Sequence, residues 1–551
     1  MSSSERTQAQ TNAPAAPLRI TALIAYLLVG LCLAVALWNG VWHSWRFVQH
    51  SSLALAFPLP LDGLEGTLLH EAWLLQAGEA LYQPLQPDRF VSSPYPPMHY
   101  VLLAIFAPAD WQGPHVFFEG RLVSLAVSLI TAFFLAALSL RQSRSLASAT
   151  LAIGLWLAFA PVQLWSTRIK PDPLALDFTM AGLFAASFYD PQAAIASKSA
   201  FLRRYGAPFI ALCCFVLAYF TKQTAIVAPA SVCLALFLAA SAKALREERS
   251  WARLWRDRAV WHAFGFGFAY VLMVGLVWAL LDLISDGQYT FHIWGLHRSE
   301  WWSFDLMLKF LELLLPSWPL VLLAIAGIVA AIFQLVRKPD LKAKALIPAC
   351  YMLAAPCTLF GAGEIGANHN HLLETHLALV LISSSLIGTP LYSLQKGWKA
   401  KQDQAYIWKV SLLACLGVAL IALQFWNFVE RPAWYGNQFD PLDNHSGRYL
   451  ALIRSQPGEV LADDVALLVA AGRPLRYDDP STMGPAVRSG VWDESHLLEE
   501  VRQQHFSVIM LPIGPNETVD AKGRWTTAFL TTLHEHYKPL YRDRITTYVP
   551  R

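Results

Sequence analysis

The chain alternates long apolar segments with short polar connections. Most apolar segments hold about 17 to 25 residues, the length that a helix needs to cross a bilayer. About eleven such segments predict an all-α polytopic membrane protein; the fifth and sixth are nearly continuous, so a re-entrant pair is the alternative there. They lie at 20–42, 120–140, 146–165, 173–189, 206–221, 224–241, 261–282, 308–336, 345–361, 372–392 and 408–428.

Composition supports the same class. Hydrophobic residues make up 55% of the chain and charged residues only 15%, which excludes an ordinary soluble enzyme. Every cysteine falls inside an apolar run, so the cysteines are interpreted as packing residues, not as a disulfide framework or a metal site. The segment 20–42 is too long for a signal-peptide core and is expected to stay as an anchor.

Lys and Arg cluster in alternate connections, most densely at 243–258, 337–344 and 396–409. Basic residues are retained on the cytoplasmic side of a membrane, so these connections and the N-terminus are predicted to be cytoplasmic. The first loop, predicted at 43–119, and the C-terminal part then lie on the outer side. We therefore expect a multi-pass protein of the inner (plasma) membrane with a periplasmic or extracellular C-terminal domain.

Three regions are predicted along the chain. Residues 1–18 are interpreted as a disordered cytosolic tail, residues 19–430 as the transmembrane domain, and residues 431–551 as a small external α/β domain. Strand-like and helical runs alternate in the last region, at Val460–Ala462, Asp464–Ala471, Asp493–Gln504 and Ser507–Leu511. The pattern gives no function for this domain.

The first loop carries two carboxylates, Asp62 and Glu65, at the start of an amphipathic stretch. Residues three apart share one face of a helix, so the two side chains can act together. The same spacing fits a capping box, in which the first residue caps the helix and the second reaches back. A carboxylate at the membrane surface can also serve as the general base for an acceptor hydroxyl, and we favour Glu65 over Asp62 for that role.

A rigid turn, Tyr95-Pro96-Pro97, follows later in the first loop. Each proline fixes its own φ and biases the preceding residue toward extended backbone. The turn either ends the loop, which is the favoured interpretation, or holds Tyr95 and His99 over a substrate.

Further charged residues are predicted at the outer ends of the apolar segments. Arg and Lys bind phosphate by a planar fork and a point charge respectively, so several of them on one side of the membrane favour an anionic, membrane-bound substrate. Asp172 needs a partner beside the membrane and is expected to orient an acceptor or to neutralise Arg168. The candidate phosphate ligands are Arg121, Lys222, Arg298 and His297, and Lys170 is a candidate substrate ligand.

A polar segment near 370 holds Asn370, His371 and Glu374. With His369, the spacing is similar to that of metal ligands, but the HExxH order is absent. Hydrogen bonding to a sugar or a phosphate is favoured, and no metal is expected. No Gly-rich phosphate loop is present, so a nucleotide site on the cytoplasmic face has no support.

Together these features resemble the GT-C superfamily of membrane glycosyltransferases, nearest the protein O-mannosyltransferases and aminoarabinose transferases. The resemblance covers about residues 18–430. It depends on several short motifs, on their order along the chain and on their predicted position on the same side of the membrane. These motifs are Leu64-Glu65-Gly66, Gly78-Glu79-Ala80-Leu81-Tyr82, Tyr95-Pro96-Pro97, Arg121, Lys170-Pro171-Asp172 and Asn370-His371.

The resemblance implies transfer of a sugar from a polyprenyl-phosphate carrier to an acceptor glycan, lipid or protein at the outer face of the bilayer. Glu65 or Asp62 would deprotonate the acceptor, attack would invert the anomeric carbon, and cations including Lys222 would stabilise the leaving phosphate. It implies no cofactor and no nucleic-acid partner.

Two departures from the family pattern limit how far the roles of family residues can be assigned to this chain. Relatives often have an adjacent Asp-Glu pair, where this chain has Leu64 before Glu65, so either first-loop acid remains a candidate base. The aminoarabinose branch has Lys before its Pro-Pro, where this chain has Tyr95. The alternative functions are an enzyme similar to the O-antigen ligases or polymerases, and a transporter or flippase of lipid-linked sugars. A carrier is expected to place polar groups at mid-membrane depth, and few occur here.

Overall fold

The protein is a helical membrane protein with a small C-terminal α/β part. The computed structural model describes residues 16–106, 115–192, 197–248, 255, 258–296, 302–338, 341–364, 367–400, 404–430, 439 and 446–551. Within these ranges, eight helices are long and apolar enough to cross a membrane. Two shorter apolar helices, Leu146–Ala158 and Ile347–Gly363, coincide with predicted segments. The predicted fold class is confirmed.

Most helices coincide with predicted apolar segments because the bilayer sets a minimum length for each crossing helix. The predicted segments 146–165 and 308–336 are each divided between two helices. The α-helices up to residue 430 are Ala16–Ala56, Leu64–Gln76, Met98–Phe106, Phe118–Ser143, Leu146–Ala158, Ala160–Trp165, Asp172–Ala186, Lys198–Phe201, Ala207–Tyr219, Val227–Glu248, Arg258–Ile284, Gln288–Thr290, Phe304–Glu312, Trp318–Arg337, Ile347–Ala354, Leu373–Ala400 and Gln404–Asn427. Tighter or wider turns lie at Leu202–Gly206, Phe291–Gly295, Leu315–Ser317, Ala343–Ala345, Ala355–Gly363 and His369–Leu372.

The first helix, Ala16–Ala56, continues well past its predicted end at Trp42. Its 41 residues span about 60 Å at a rise of 1.5 Å per residue, about twice the bilayer core. Polar residues in its later turns have partners at the end of the last membrane helix and just beyond it. The His43 ring bonds the Phe425 carbonyl at 3.0 Å, and Arg46 donates to the Val429 carbonyl at 2.8 Å. The first loop therefore spans 57–117, and its residues 107–114 lie outside the described ranges.

Residues 446–551 form a four-stranded sheet with helices Ser446–Ser455, Val465–Ala471, Pro480–Arg488, Ser495–Arg502 and Thr527–His536 around it. The strands are β1 (Val460–Ala462), β2 (Val508–Leu511), β3 (Tyr537–Arg542) and β4 (Thr546–Pro550), in the order β1-β2-β4-β3. β1 runs parallel to β2, with Val460 opposite Val508, and the other pairs are antiparallel. The sequence pattern predicted β1 and β2 but not the hairpin of β3 and β4.

This C-terminal part packs directly on the first loop. A Cβ on Gly66 would lie 2.4 Å from the Ala466 Cα, so only glycine allows helices Leu64–Gln76 and Val465–Ala471 to meet there. The buried Asp478 carboxylate accepts from the Ser92 amide at 3.1 Å and bonds the His70 ring at 2.9 Å. The first loop is thereby held between the membrane helices and the C-terminal sheet.

Candidate active site

Glu65 and Arg121 form a fully buried ion pair at the base of the first loop. The guanidinium uses all five of its N–H donors. The Nε and Nη2 atoms each donate one hydrogen bond to Glu65, at 3.0 and 2.8 Å. The three remaining N–H groups donate to the carbonyls of Ala54, Phe57 and Leu59. Arg121 thus fastens the end of the first helix to the start of the loop.

The Glu65 carboxylate is equally occupied. Besides Arg121, it accepts from the Leu61 amide at 2.9 Å and from the Ile169 amide at 3.3 Å. Asp62 accepts from the Leu64 amide at 3.0 Å, but the residue that precedes the helix is Gly63, and Glu65 bonds the Leu61 amide and not that of Asp62. The predicted capping box is therefore not formed. With four donors and no exposed surface, Glu65 has the geometry of a structural residue.

Asp62 lies on the more open side of the same turn. Its carboxylate bonds the Lys170 ammonium at 2.7 Å and lies 3.6 Å from the Arg168 guanidinium, and its side chain is 15% exposed. Burial opposes ionisation of this carboxyl, but Lys170 and Arg168 outweigh it and hold its pKa below the usual range. Asp62 is therefore an anion that remains partly accessible. Asp172, which was predicted as a possible partner of Arg168, has different partners.

Asp172 opens helix Asp172–Ala186 and pairs with Lys222, while the Asn370 amide donates to the same carboxylate at 3.0 Å. Burial opposes ionisation of Asp172 as well, but Lys222 and Asn370 hold the pKa of this carboxyl below its usual range. Lys222 follows helix Ala207–Tyr219, so three separate parts of the chain meet here.

These groups line a small cavity of about 30 Å³ that is partly open to its surroundings. Five predicted site residues lie on its wall, together with threonines and small or apolar side chains. The lining consists of Asp172, Ala175, Leu176, Thr179, Lys222, Thr224, Ala225, Thr358, Asn370, His371, Leu373 and Glu374. The Tyr351 hydroxyl donates to Glu374 at 3.2 Å and fixes that carboxyl at the inner wall.

The remaining predicted site residues lie elsewhere. Tyr95 packs in the core of the first loop, where its carbonyl accepts from the Tyr82 hydroxyl at 3.0 Å, so the turn has a structural position. Arg121 does not line the cavity, and all five of its N–H donors already bond protein groups. His297 and Arg298 lie outside the described residues.

Several residues of the site were not predicted from the sequence. Thr179 and Thr358 line the cavity, and both fall inside predicted apolar segments, where a polar side chain is itself a signal of function. Tyr351 also falls inside such a segment, but nothing local marks it as the partner of Glu374. Within the described part of the chain, no group of three His, Cys, Asp or Glu residues is placed to hold a metal ion.

No protein-family model and no curated protein matches the chain. Solved structures do match. ArnT from Cupriavidus metallidurans, bound to undecaprenyl phosphate, aligns over 95% of this chain and 97% of its own, with a TM-score of 0.55 and 14% identity. The chain has the GT-C fold. An archaeal oligosaccharyltransferase, AglB from Archaeoglobus fulgidus in complex with an inhibitory peptide and a dolichol-phosphate, aligns over 90% of this chain and 72% of its own, with a TM-score of 0.50 and 11% identity.

The GT-C fold confirms the resemblance that the sequence motifs predicted. At these identities the likeness establishes the architecture alone. It also extends beyond residue 430, since the ArnT alignment spans nearly the whole of both chains.

Proposed function

We propose that the protein is a glycosyltransferase that moves a sugar from a polyprenyl-phosphate carrier to an acceptor at the outer face of the membrane. One observation carries the proposal: two ion pairs lie close together in a protein with the GT-C fold. Asp172, which pairs with Lys222 in the wall of the cavity, is only two residues along the chain from Lys170, which pairs with Asp62. Cationic and anionic groups suited to a phosphate ester and a hydroxyl nucleophile are therefore close together.

Lys222 is the proposed ligand of the donor phosphate. An ammonium group has three N–H donors, and Asp172 accepts one of them, so the others are available to phosphate oxygens in the cavity. Asp172, which also accepts from the Asn370 amide, holds the lysine in place. The apolar wall contributed by Leu176 and Leu373 suits the first carbons of a prenyl chain.

Asp62 is the proposed general base. It is an accessible anion in the first loop, whereas Glu65, the favoured residue on sequence grounds, is enclosed by four donors. The acceptor hydroxyl transfers its proton to Asp62 as its oxygen bonds the anomeric carbon. The bond from that carbon to the phosphate oxygen breaks on the opposite face, which inverts the anomeric centre. Polyprenyl phosphate leaves with the electron pair, and Lys222 stabilises the developing charge.

The test is transfer by the purified full-length protein in proteoliposomes. Undecaprenyl phosphates that carry different radiolabelled sugars are supplied with membrane lipids and glycans as acceptors. We expect one donor to release undecaprenyl phosphate and label an acceptor, and we expect Asp62→Asn to lose this activity by at least about 100-fold, the typical contribution of general base catalysis.

Two results would contradict the proposal. If the folded wild-type protein neither releases nor transfers sugar from any donor, the assignment as a glycosyltransferase is wrong. If wild type transfers sugar and Asp62→Asn does so at the same rate, the function stands and the base is misassigned.

A further inference from the structure

His99 lies next to both ion pairs of the proposed site. It follows the Pro96-Pro97 turn and belongs to the first turn of helix Met98–Phe106. The Met98 amide donates to the Phe220 carbonyl at 3.0 Å, which brings His99 beside the segment that carries Lys222. Asp172 and Lys170, one from each ion pair, act electrostatically on the His99 ring.

The His99 side chain is 1% exposed, and neither ring nitrogen has a hydrogen-bond partner among the described residues. Other buried histidines differ. His70 bonds Asp478, His292 bonds the Ser93 amide and the Gln83 carbonyl, and His376 bonds the Leu155 carbonyl. A buried polar group without partners loses its hydrogen bonds to water and gains none in return, so such groups are uncommon unless a ligand or water completes them.

The charge state of the ring limits what it can bind. Burial lowers the pKa of His99 to about 3, and the opposing effect of Asp172 does not restore it, so the imidazole is neutral. A neutral imidazole offers one N–H donor and one acceptor nitrogen. A phosphate or carboxylate can use only the donor, whereas a hydroxyl can pair with either nitrogen.

We propose that His99 is a positioning residue that binds a hydroxyl group of the substrate between the Asp62–Lys170 and Asp172–Lys222 pairs. The hydroxyl comes either from the sugar of the lipid-linked donor or from the acceptor. The inference rests on the proposed function for its substrate class, but the contact itself can be measured without turnover.

The test uses His99→Leu and His99→Gln in the full-length protein. Leucine removes an unpartnered buried polar group, so the melting temperature of His99→Leu should equal or exceed that of wild type. Its kcat/KM for transfer should fall by about 10-fold or more, the effect of one lost hydrogen bond. Glutamine retains a donor and an acceptor and should recover part of the activity. Tyr289→Phe is the matched control because the Tyr289 hydroxyl is also buried without a partner in the described residues.

Binding measurements distinguish the two sources of the hydroxyl. If it belongs to the donor sugar, His99→Leu weakens binding of an undecaprenyl-phosphate sugar but not of undecaprenyl phosphate alone. If it belongs to the acceptor, both lipids bind as in wild type and the KM for the acceptor rises.

His99→Leu with wild-type binding of both lipids and wild-type transfer overturns the inference. Loss of stability together with activity, without recovery in His99→Gln, also overturns it, because it assigns His99 a purely structural role. If wild type binds the sugar-bearing lipid but transfers nothing, the proposed function fails. His99 then binds the sugar hydroxyl if His99→Leu weakens binding of that lipid, and the inference is overturned if it does not.

Discussion

Glu65→Gln should destabilise the fold more than it affects chemistry, because it breaks a buried structural ion pair. The substitution keeps the shape of the side chain but removes the charge that neutralises Arg121. It also replaces one accepting oxygen by an NH2 group. That group would face N–H donors, since the two Glu65 oxygens accept from Arg121, Leu61 and Ile169.

The magnitude follows from the enclosure of the pair. Both side chains have no exposed surface, and removing one partner of a buried pair typically costs ~3–5 kcal/mol. A change of 1 kcal/mol shifts the melting temperature by about 2–4 °C in a domain of 150–250 residues and by less in a larger one. We therefore expect a drop on the order of 5–10 °C.

The assay is thermal unfolding in detergent, followed by tryptophan fluorescence. Glu79→Gln is the matched control, because Glu79 belongs to the same loop and also pairs with an arginine, Arg89, at 3.3 Å. That pair is largely accessible, with the Glu79 side chain 41% exposed, so its loss should cost no more than about 1 kcal/mol.

If Glu65→Gln melts within error of wild type and of Glu79→Gln, the buried ion pair does not have the stabilising role assigned to it. A folded, fully stable Glu65→Gln protein without transferase activity would return the role of the base to Glu65.

The other predictions concern the cavity, the docking of the C-terminal part and pH. Lys222→Gln should raise the KM for the lipid donor by about 10-fold or more through a lost charged contact. Lys342→Gln removes an exposed lysine–aspartate pair and should leave that KM unchanged in the same steady-state assay. Gly66→Ala should lower the melting temperature and expose the C-terminal part to limited proteolysis, because the new Cβ would meet the Ala466 backbone. The lowered pKa of Asp62 means that its charge is lost only as pH falls below its usual range, so transfer should stay constant from about pH 8 to 5; a rate that halves near neutrality would contradict this.

The membrane architecture was predictable because bilayer thickness imposes a length and an apolar composition on each crossing helix. The predicted outer side also collected Asp172, Lys222 and Asn370, which the structure brings together. The sequence pattern did not predict which charged residues pair with each other. Glu65 and Arg121 are separated by the whole first loop, and no local pattern reports that one satisfies the other.

The choice between Asp62 and Glu65 shows the same limit. The sequence interpretation favoured Glu65 from its position at the membrane surface, but burial and hydrogen-bond saturation are properties of the folded chain. Lys170 pairs with Asp62 only because helix Asp172–Ala186 begins beside the loop. The hairpin Tyr537–Pro550 was likewise missed, since five of the six β3 side chains face solvent and give no apolar alternation.

The most direct test of the proposed donor site is a cryo-EM structure of the full-length protein with undecaprenyl phosphate. We expect the phosphate to lie within hydrogen-bond distance of Lys222 in the cavity beside Asp172, with the Glu65–Arg121 pair intact. A phosphate bound away from this cavity, or one that displaces Arg121 from Glu65, would contradict it.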